Sequence, residues 1–155
     1  MGFDIILHSA TKYLNGHSDI VAGAVAGRGV LVEETRKWLN HLGASLDPHA
    51  CFLLHRGLKT LGVRVRQQGK TAYELASSLS QNRKVRNLSY PGLASHPDYA
   101  RAKEWFRGFG AVISFEFNGS VQETDAFLKR LTLPTIAPSL GGVETLETRP
   151  ATTSH

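Results

Sequence analysis

Short apolar runs alternate with segments of helical periodicity along this chain, and that alternation limits its fold more than any other feature. The clearest helix starts at Thr71, where Ala72, Leu75, Ala76 and Leu79 fall at i, i+3, i+4 and i+7 and make one apolar face. Residues 3–7 and 19–26 read as buried strands, the second ending in Gly27-Arg28-Gly29. Residues 33–42 read as a helix stopped by Gly43, and Pro48 opens a long helix through Arg66 that Gly57 and Gly62 weaken. Residues 84–90 form a strand before Pro91-Gly92. A helix then starts near Ser95-His96-Pro97-Asp98, with Tyr99, Ala102, Phe106 and Phe109 on one side. A strand over 111–117, a helix through Thr124, Phe127, Leu128 and Leu131, and a run over 133–137 complete the pattern. Strands alternating with helices predict an α/β or α+β protein of layered sheet and helices.

Composition excludes other classes. With 155 residues, 41% hydrophobic, and 15 Gly against 6 Pro, the chain can bury a core and is neither disordered nor collagen-like. A single cysteine, Cys51, cannot form an internal disulfide, so a reducing, cytoplasmic setting is expected. No window approaches the roughly 18 apolar residues a membrane span requires, and no targeting segment is visible at Met1. The formal charge of +5 could attract phosphate or nucleic acid without identifying either. The strand at the beginning and the open end at Ala151-Thr152-Thr153-Ser154-His155 suggest a chain cut at both ends.

Most local motifs reduce to structure. Gly69-Lys70-Thr71 lacks the upstream glycine of a P-loop, since position 64 is Arg64, and Gly23, Gly27 and Gly29 lack GxGxxG spacing. The seven histidines show no zinc spacing with one another or with Cys51, so no metal is expected. Cys51 reads as a small buried thiol, and the basic clusters at 64–66 and 83–86 as solvated faces without a nucleic-acid motif.

The run from His8 to Asp19 is different, because Ser9 and Thr11 precede Lys12 immediately after a strand. A neutral lysine amine can form a Schiff base, and two hydroxyls beside it can donate to a phosphate. Spacing alone leaves Lys12 as a solvated charge at a strand end. The segment Ser9-Ala10-Thr11-Lys12-Tyr13-Leu14-Asn15-Gly16-His17-Ser18-Asp19, however, resembles the lysine signature of the Cys/Met-metabolism family of pyridoxal-phosphate enzymes. That family includes cystathionine γ-synthases, cystathionine γ- and β-lyases, methionine γ-lyases, and homoserine-ester sulfhydrylases. The resemblance continues through Leu46-Asp47-Pro48-His49-Ala50, Arg56-Gly57-Leu58-Lys59-Thr60-Leu61, Tyr90-Pro91-Gly92-Leu93 and Ser139-Leu140-Gly141-Gly142-Val143-Glu144.

The resemblance implies a piece of the aspartate-aminotransferase-like fold: residues 1–62 ending the large cofactor-binding domain, and residues 63–155 forming most of the small C-terminal domain. It makes Lys12 the Schiff-base lysine for pyridoxal 5'-phosphate, places Ser9 and Thr11 on the cofactor phosphate, and puts Ser139 on the substrate side near the substrate carboxylate. It implies small amino-acid substrates, a homotetramer, no nucleic-acid or membrane partner, and a cytoplasmic or plastid location. Many family members carry a glutamate before the serine corresponding to Ser139, whereas this chain has Ala137-Pro138-Ser139, a pattern associated with synthase-like members of plant type. The expected reaction is therefore cystathionine γ-synthase-like γ-replacement, with lyase or sulfhydrylase chemistry as the alternative. The family's phosphate loop, ring-stacking aromatic residue and pyridine-pairing aspartate correspond to positions before Met1, and its carboxylate-binding arginine to a position after His155. The chain alone is accordingly expected to be inactive. Readings from other classes are a non-catalytic remnant retaining an assembly surface and an anion or nucleic-acid binder based on the +5 charge.

Overall fold

The computed structural model describes Gly2–Thr153, so part of the expected open C-terminal end lies outside the described residues. The chain divides into two compact units, residues 1–61 with 139–143 and residues 62–138 with 144–155.

The first unit is built from β1 (Ile5–Ser9), β2 (Gly23–Gly27), α1 (Gly29–Leu42) and α2 (Pro48–Leu58). β1 and β2 are antiparallel, registered from Ile5 opposite Gly27 to Ser9 opposite Gly23. The expectation of buried strands is corrected for both: β1 is exposed at all five positions, and β2 has no buried position, with only Ala24 and Val25 half-buried. The ladder with β2 pairs one edge of β1, and among the described residues no layer covers the β1 side chains. Apolar character reports what a strand needs to bury and not whether the cover is at hand. α1 starts at Gly29, earlier than the periodicity predicts, and ends where the Gly43 N–H reaches the Leu39 carbonyl at 2.9 Å. α2 is well capped: the Asp47 carboxylate accepts from the His49 and Ala50 N–H groups at 3.0 Å each, with Pro48 in the first turn.

The expected single helix from Pro48 to Arg66 is two helices, α2 ending at Leu58 and α3 running Leu61–Leu79 through Gly62 and Gly69. At the junction both the N–H and the hydroxyl of Thr60 donate to the Gly57 carbonyl at 3.2 Å. This tight turn ends the helical ladder, as threonine side chains bonded to local backbone do.

The second unit continues from α3 with β3 (Val85–Ser89), α4 (Tyr99–Trp105), β4 (Ser114–Phe117), α5 (Val121–Arg130), the parallel pair β5 (Thr135–Ile136) and β6 (Leu146–Glu147), and α6 (Pro150–Thr153). β3 pairs antiparallel with β4, with an irregularity between Arg86 and Ser89 where Asn87 takes φ +49°, a conformation asparagine tolerates better than most residues. α4 is shorter than predicted: Phe106 is extended and lies outside the helix. The core of this unit gathers on Ala72 and Ala76 of α3 and on Tyr90, against which Leu88, Leu93, Phe109, Ala111 and Ile113 pack. The small α3 side chains let the Tyr90 ring reach the helix, and its hydroxyl sits 3.2 Å from the Gly69 carbonyl and 3.0 Å from the Gly110 carbonyl. α5 opens with a reciprocal cap, the Ser120 hydroxyl accepting from the Glu123 N–H at 3.2 Å and the Glu123 carboxylate accepting from the Ser120 N–H at 2.7 Å.

Two carboxyls of this unit titrate in opposite senses. Hydrogen bonds from the Ser120 N–H and hydroxyl hold Glu123 below its ordinary value, so its contribution is complete above that value and is lost as pH falls through the lowered one. Burial raises Glu147, so its ionisation lowers stability as pH rises through the raised value.

Tyr90→Phe leaves two carbonyls without their hydroxyl donor and is expected to lower the unfolding free energy by about 1–3 kcal/mol in urea titrations. Ser120→Ala removes the α5 cap, with an expected loss of about 1 kcal/mol. The Ser120→Ala difference should shrink in acid, where Glu123 is protonated in both proteins.

Candidate active site

The β1–β2 ladder ends in a fold-over that presents Lys12. Past Ser9, the N–H groups of Ala10 and Thr11 both reach the Ala22 carbonyl, at 2.8 and 3.1 Å, so the chain turns across the end of β2. The Asn15 N–H then closes a wide turn on the Ala10 carbonyl at 3.0 Å, and Gly16 N–H bonds the Lys12 carbonyl at 2.8 Å. Within this turn Lys12 departs from helical geometry, at φ −90° and ψ −120°. Wide turns of this kind recur at functional sites.

The half-buried Lys12 donates through Nζ to the Ser139 hydroxyl at 3.2 Å, across 127 residues of sequence. Both belong to the first unit, to which the segment 139–143 returns. Thr11 Oγ1 accepts from the Ala22 N–H at 2.9 Å and donates to the Ala22 carbonyl at 3.3 Å. Ser9, at the exposed end of β1, has no side-chain hydrogen bond to another described residue. All four residues singled out from the sequence thus lie in the first unit, and the structure brings Lys12 and Ser139 into contact.

Behind the lysine the turn is held by groups that sequence reasoning left unassigned. Asn15 is 1% exposed, and its Nδ2 donates to Asp19 Oδ1 at 2.7 Å. His17 Nδ1 lies 2.8 Å from the Asn15 carbonyl; because a carbonyl only accepts, that nitrogen carries the proton. Gly57 of α2 sits so close that a Cβ there would stand 2.2 Å from the Asn15 carbonyl oxygen. The available signal is a glycine inside an otherwise helical run, a costly choice there that points to a packing reason.

Elsewhere the sequence reading needs one correction. Cys51 is exposed, its thiol 3.7 Å from the Leu46 carbonyl, because its face of α2 has no covering layer among the described residues. In the second unit a cleft of about 350 Å³ is lined by Phe115, Phe117 and Phe127 with Lys84 and Arg130. Among the described residues no helix is long and apolar enough to cross a membrane, and no three His, Cys, Asp or Glu side chains cluster to hold a metal.

Comparison with known proteins places this geometry in context. The sequence model of the Cys/Met metabolism PLP-dependent enzymes matches residues 1–155. The chain is 45% identical to the chloroplastic cystathionine gamma-synthase 1 of Arabidopsis thaliana, over all of this chain and 28% of that protein. It is 47% identical to the cystathionine beta-lyase of Coxiella burnetii, over all of this chain and 41% of that protein. A crystal structure of cystathionine gamma synthase from Xanthomonas oryzae pv. oryzae, in complex with aminoacrylate and cysteine, superposes with a TM-score of 0.95 at 43% identity. That alignment covers 99% of this chain and 40% of that one. The chain therefore spans well under half the length of these relatives.

Gly57→Ala forces a Cβ onto the Asn15 carbonyl and is expected to cost about 1–3 kcal/mol of stability in thermal or urea unfolding. Gly62→Ala, whose Cβ meets only the flexible Arg66 guanidinium at 3.4 Å, is expected to add about 0.4–1 kcal/mol instead.

Proposed function

The chain belongs to the Cys/Met metabolism family of PLP-dependent enzymes, and from that premise we propose that it is the lysine-bearing segment of an enzyme performing cystathionine γ-synthase-like γ-replacement. In this reaction the γ-carbon to oxygen bond of an activated homoserine ester breaks, the carboxylic acid leaves, and a thiol sulfur bonds to the γ-carbon. The observation that carries the reading is the Lys12 amine held on the Ser139 hydroxyl at 3.2 Å, at the end of the strand that bears Ser9.

The donor set fits the family's cofactor. An aldehyde that also carries a phosphate needs a primary amine and hydrogen-bond donors nearby. Lys12 supplies the amine. Ser9 has a hydroxyl proton to give, and Thr11 can turn its proton from the Ala22 carbonyl, the longer of its two bonds, while still accepting from the Ala22 N–H. Bound there, pyridoxal phosphate supplies an electron sink for charge developing on the substrate carbons. Lys12 then holds the cofactor and, when free, takes a proton from the substrate and returns it at another carbon. Ser139 restrains that amine and offers its hydroxyl on the substrate side.

The choice of γ-replacement rests on Ala137-Pro138-Ser139, which puts no carboxylate next to Ser139. Lyase chemistry, in which the substrate's carbon to sulfur bond breaks, uses the same lysine and is the alternative within the family. This reading extends to a homotetramer and to a division of labour in which residues 1–62 belong to the cofactor-binding domain and residues 63–155 to the small domain. One observation favours a second reading, a non-catalytic segment that keeps an assembly surface. Among the described residues of the first unit, the buried apolar and polar side chains are Ala10, Asn15 and Ala50, while Leu7, Val21 and Val30 stand 77–86% exposed.

Borohydride reduction of the chain after incubation with pyridoxal phosphate, followed by peptide mapping, tests the first reading. The adduct is expected on Lys12 and is expected to vanish in Lys12→Ala. Thr11→Val should weaken cofactor retention about 10- to 100-fold through loss of a hydrogen bond to a charged group. Adducts spread evenly over the lysines would leave the assembly reading in place.

A further inference from the structure

A second glycine contact reaches the lysine turn from the 139–143 segment. Gly141 takes φ +80°, and a Cβ built on it would stand 2.6 Å from the Tyr13 nitrogen, 2.9 Å from Tyr13 Cγ and 3.0 Å from the Lys12 carbonyl carbon. Two of these three atoms are backbone, which cannot swing aside as a flexible side-chain end does. The chain at 141 therefore lies directly on the peptide that joins Lys12 to Tyr13. Ser139 is two residues away on the same short segment, and its hydroxyl receives the Lys12 amine at 3.2 Å.

We propose that Gly141 is a positioning residue for Lys12: its lack of a side chain seats the 139–143 segment on the lysine turn and thereby sets the amine against Ser139. Any side chain at 141 lifts the segment away from the turn, and the Ser139 hydroxyl is lost to the amine with it. The functional meaning of this placement rests on the reading of Lys12 as the reactive amine. The placement itself is a property of the chain without cofactor.

Gly43 supplies a matched control. It lies in the same unit at φ +81°, and a Cβ there meets nothing within 4 Å. Gly43→Ala and Gly141→Ala both place an alanine at positive φ, and only the second adds a contact with the lysine turn.

The test measures the acetylation rate of Lys12 by acetic anhydride relative to Lys59 in the same digest, on the full chain without cofactor. Ser139→Ala and Gly141→Ala are each expected to raise the ratio about 2- to 10-fold, the range of one hydrogen bond. The double variant should rise no further, because both changes remove the same bond. Gly43→Ala should leave the ratio unchanged. A variant with one extra glycine inserted between Gly141 and Gly142 frees the segment without adding a side chain and must raise the ratio as well, which covers the case in which Gly141→Ala does not fold. A Gly141→Ala ratio equal to that of Gly43→Ala, effects that multiply in the double variant, or an insertion variant that behaves as wild type would each overturn the proposal. Selective capture of pyridoxal phosphate on wild-type Lys12 reports separately on the functional reading, so the two can fail independently.

Discussion

Backbone packed on backbone around one short turn is the constraint on which the first unit depends. The Lys12 turn is approached from α2 through Gly57 and from the 139–143 segment through Gly141, and in each case a single methyl group would collide with main-chain atoms. Contacts this close need glycine, and they hold the turn without apolar side chains. The polar set beside it works the same way through directional bonds, from Asn15 Nδ2 to Asp19 and from His17 to the Asn15 carbonyl. A lysine carried on such a turn keeps a defined position even though the unit buries little apolar surface.

The second unit is organised by size complementarity. Alanines at 72 and 76 open room on α3 for the Tyr90 ring, and the phenol proton is spent on main-chain carbonyls at Gly69 and Gly110. One aromatic residue thus anchors a helix and a loop together, which a larger residue at 72 or 76 would prevent. The peripheral elements rest on weaker devices, such as the Ser120–Glu123 cap and the exposed ion pair between Arg86 and Glu116 at 3.0 Å.

Much of this was legible along the chain. The periodicity of Ala72, Leu75, Ala76 and Leu79 identifies α3, Pro48 marks the start of α2, and the spacing of Thr124, Phe127 and Leu128 marks α5. Helix ends were less legible. The break between α2 and α3 hinges on Thr60 choosing the Gly57 carbonyl, a local competition that periodicity does not register. Burial departs from the apolar pattern at β1, β2 and Cys51, because that pattern specifies which face seeks cover and says nothing of whether another layer lies on it.

The candidate site shows the same division. Sequence by itself determined the residue types and their order: a lysine three positions after one hydroxyl and one after another at a strand end, and a serine before paired glycines far downstream. Chemistry of that kind is written in the side chains and survives any folding. Only the tertiary structure decided that Ser139 meets the Lys12 amine, that Thr11 is bonded to Ala22, and that Gly57 and Gly141 press on the turn. These are contacts between residues distant in the chain, set by how closely two backbones approach, and no local pattern encodes that distance.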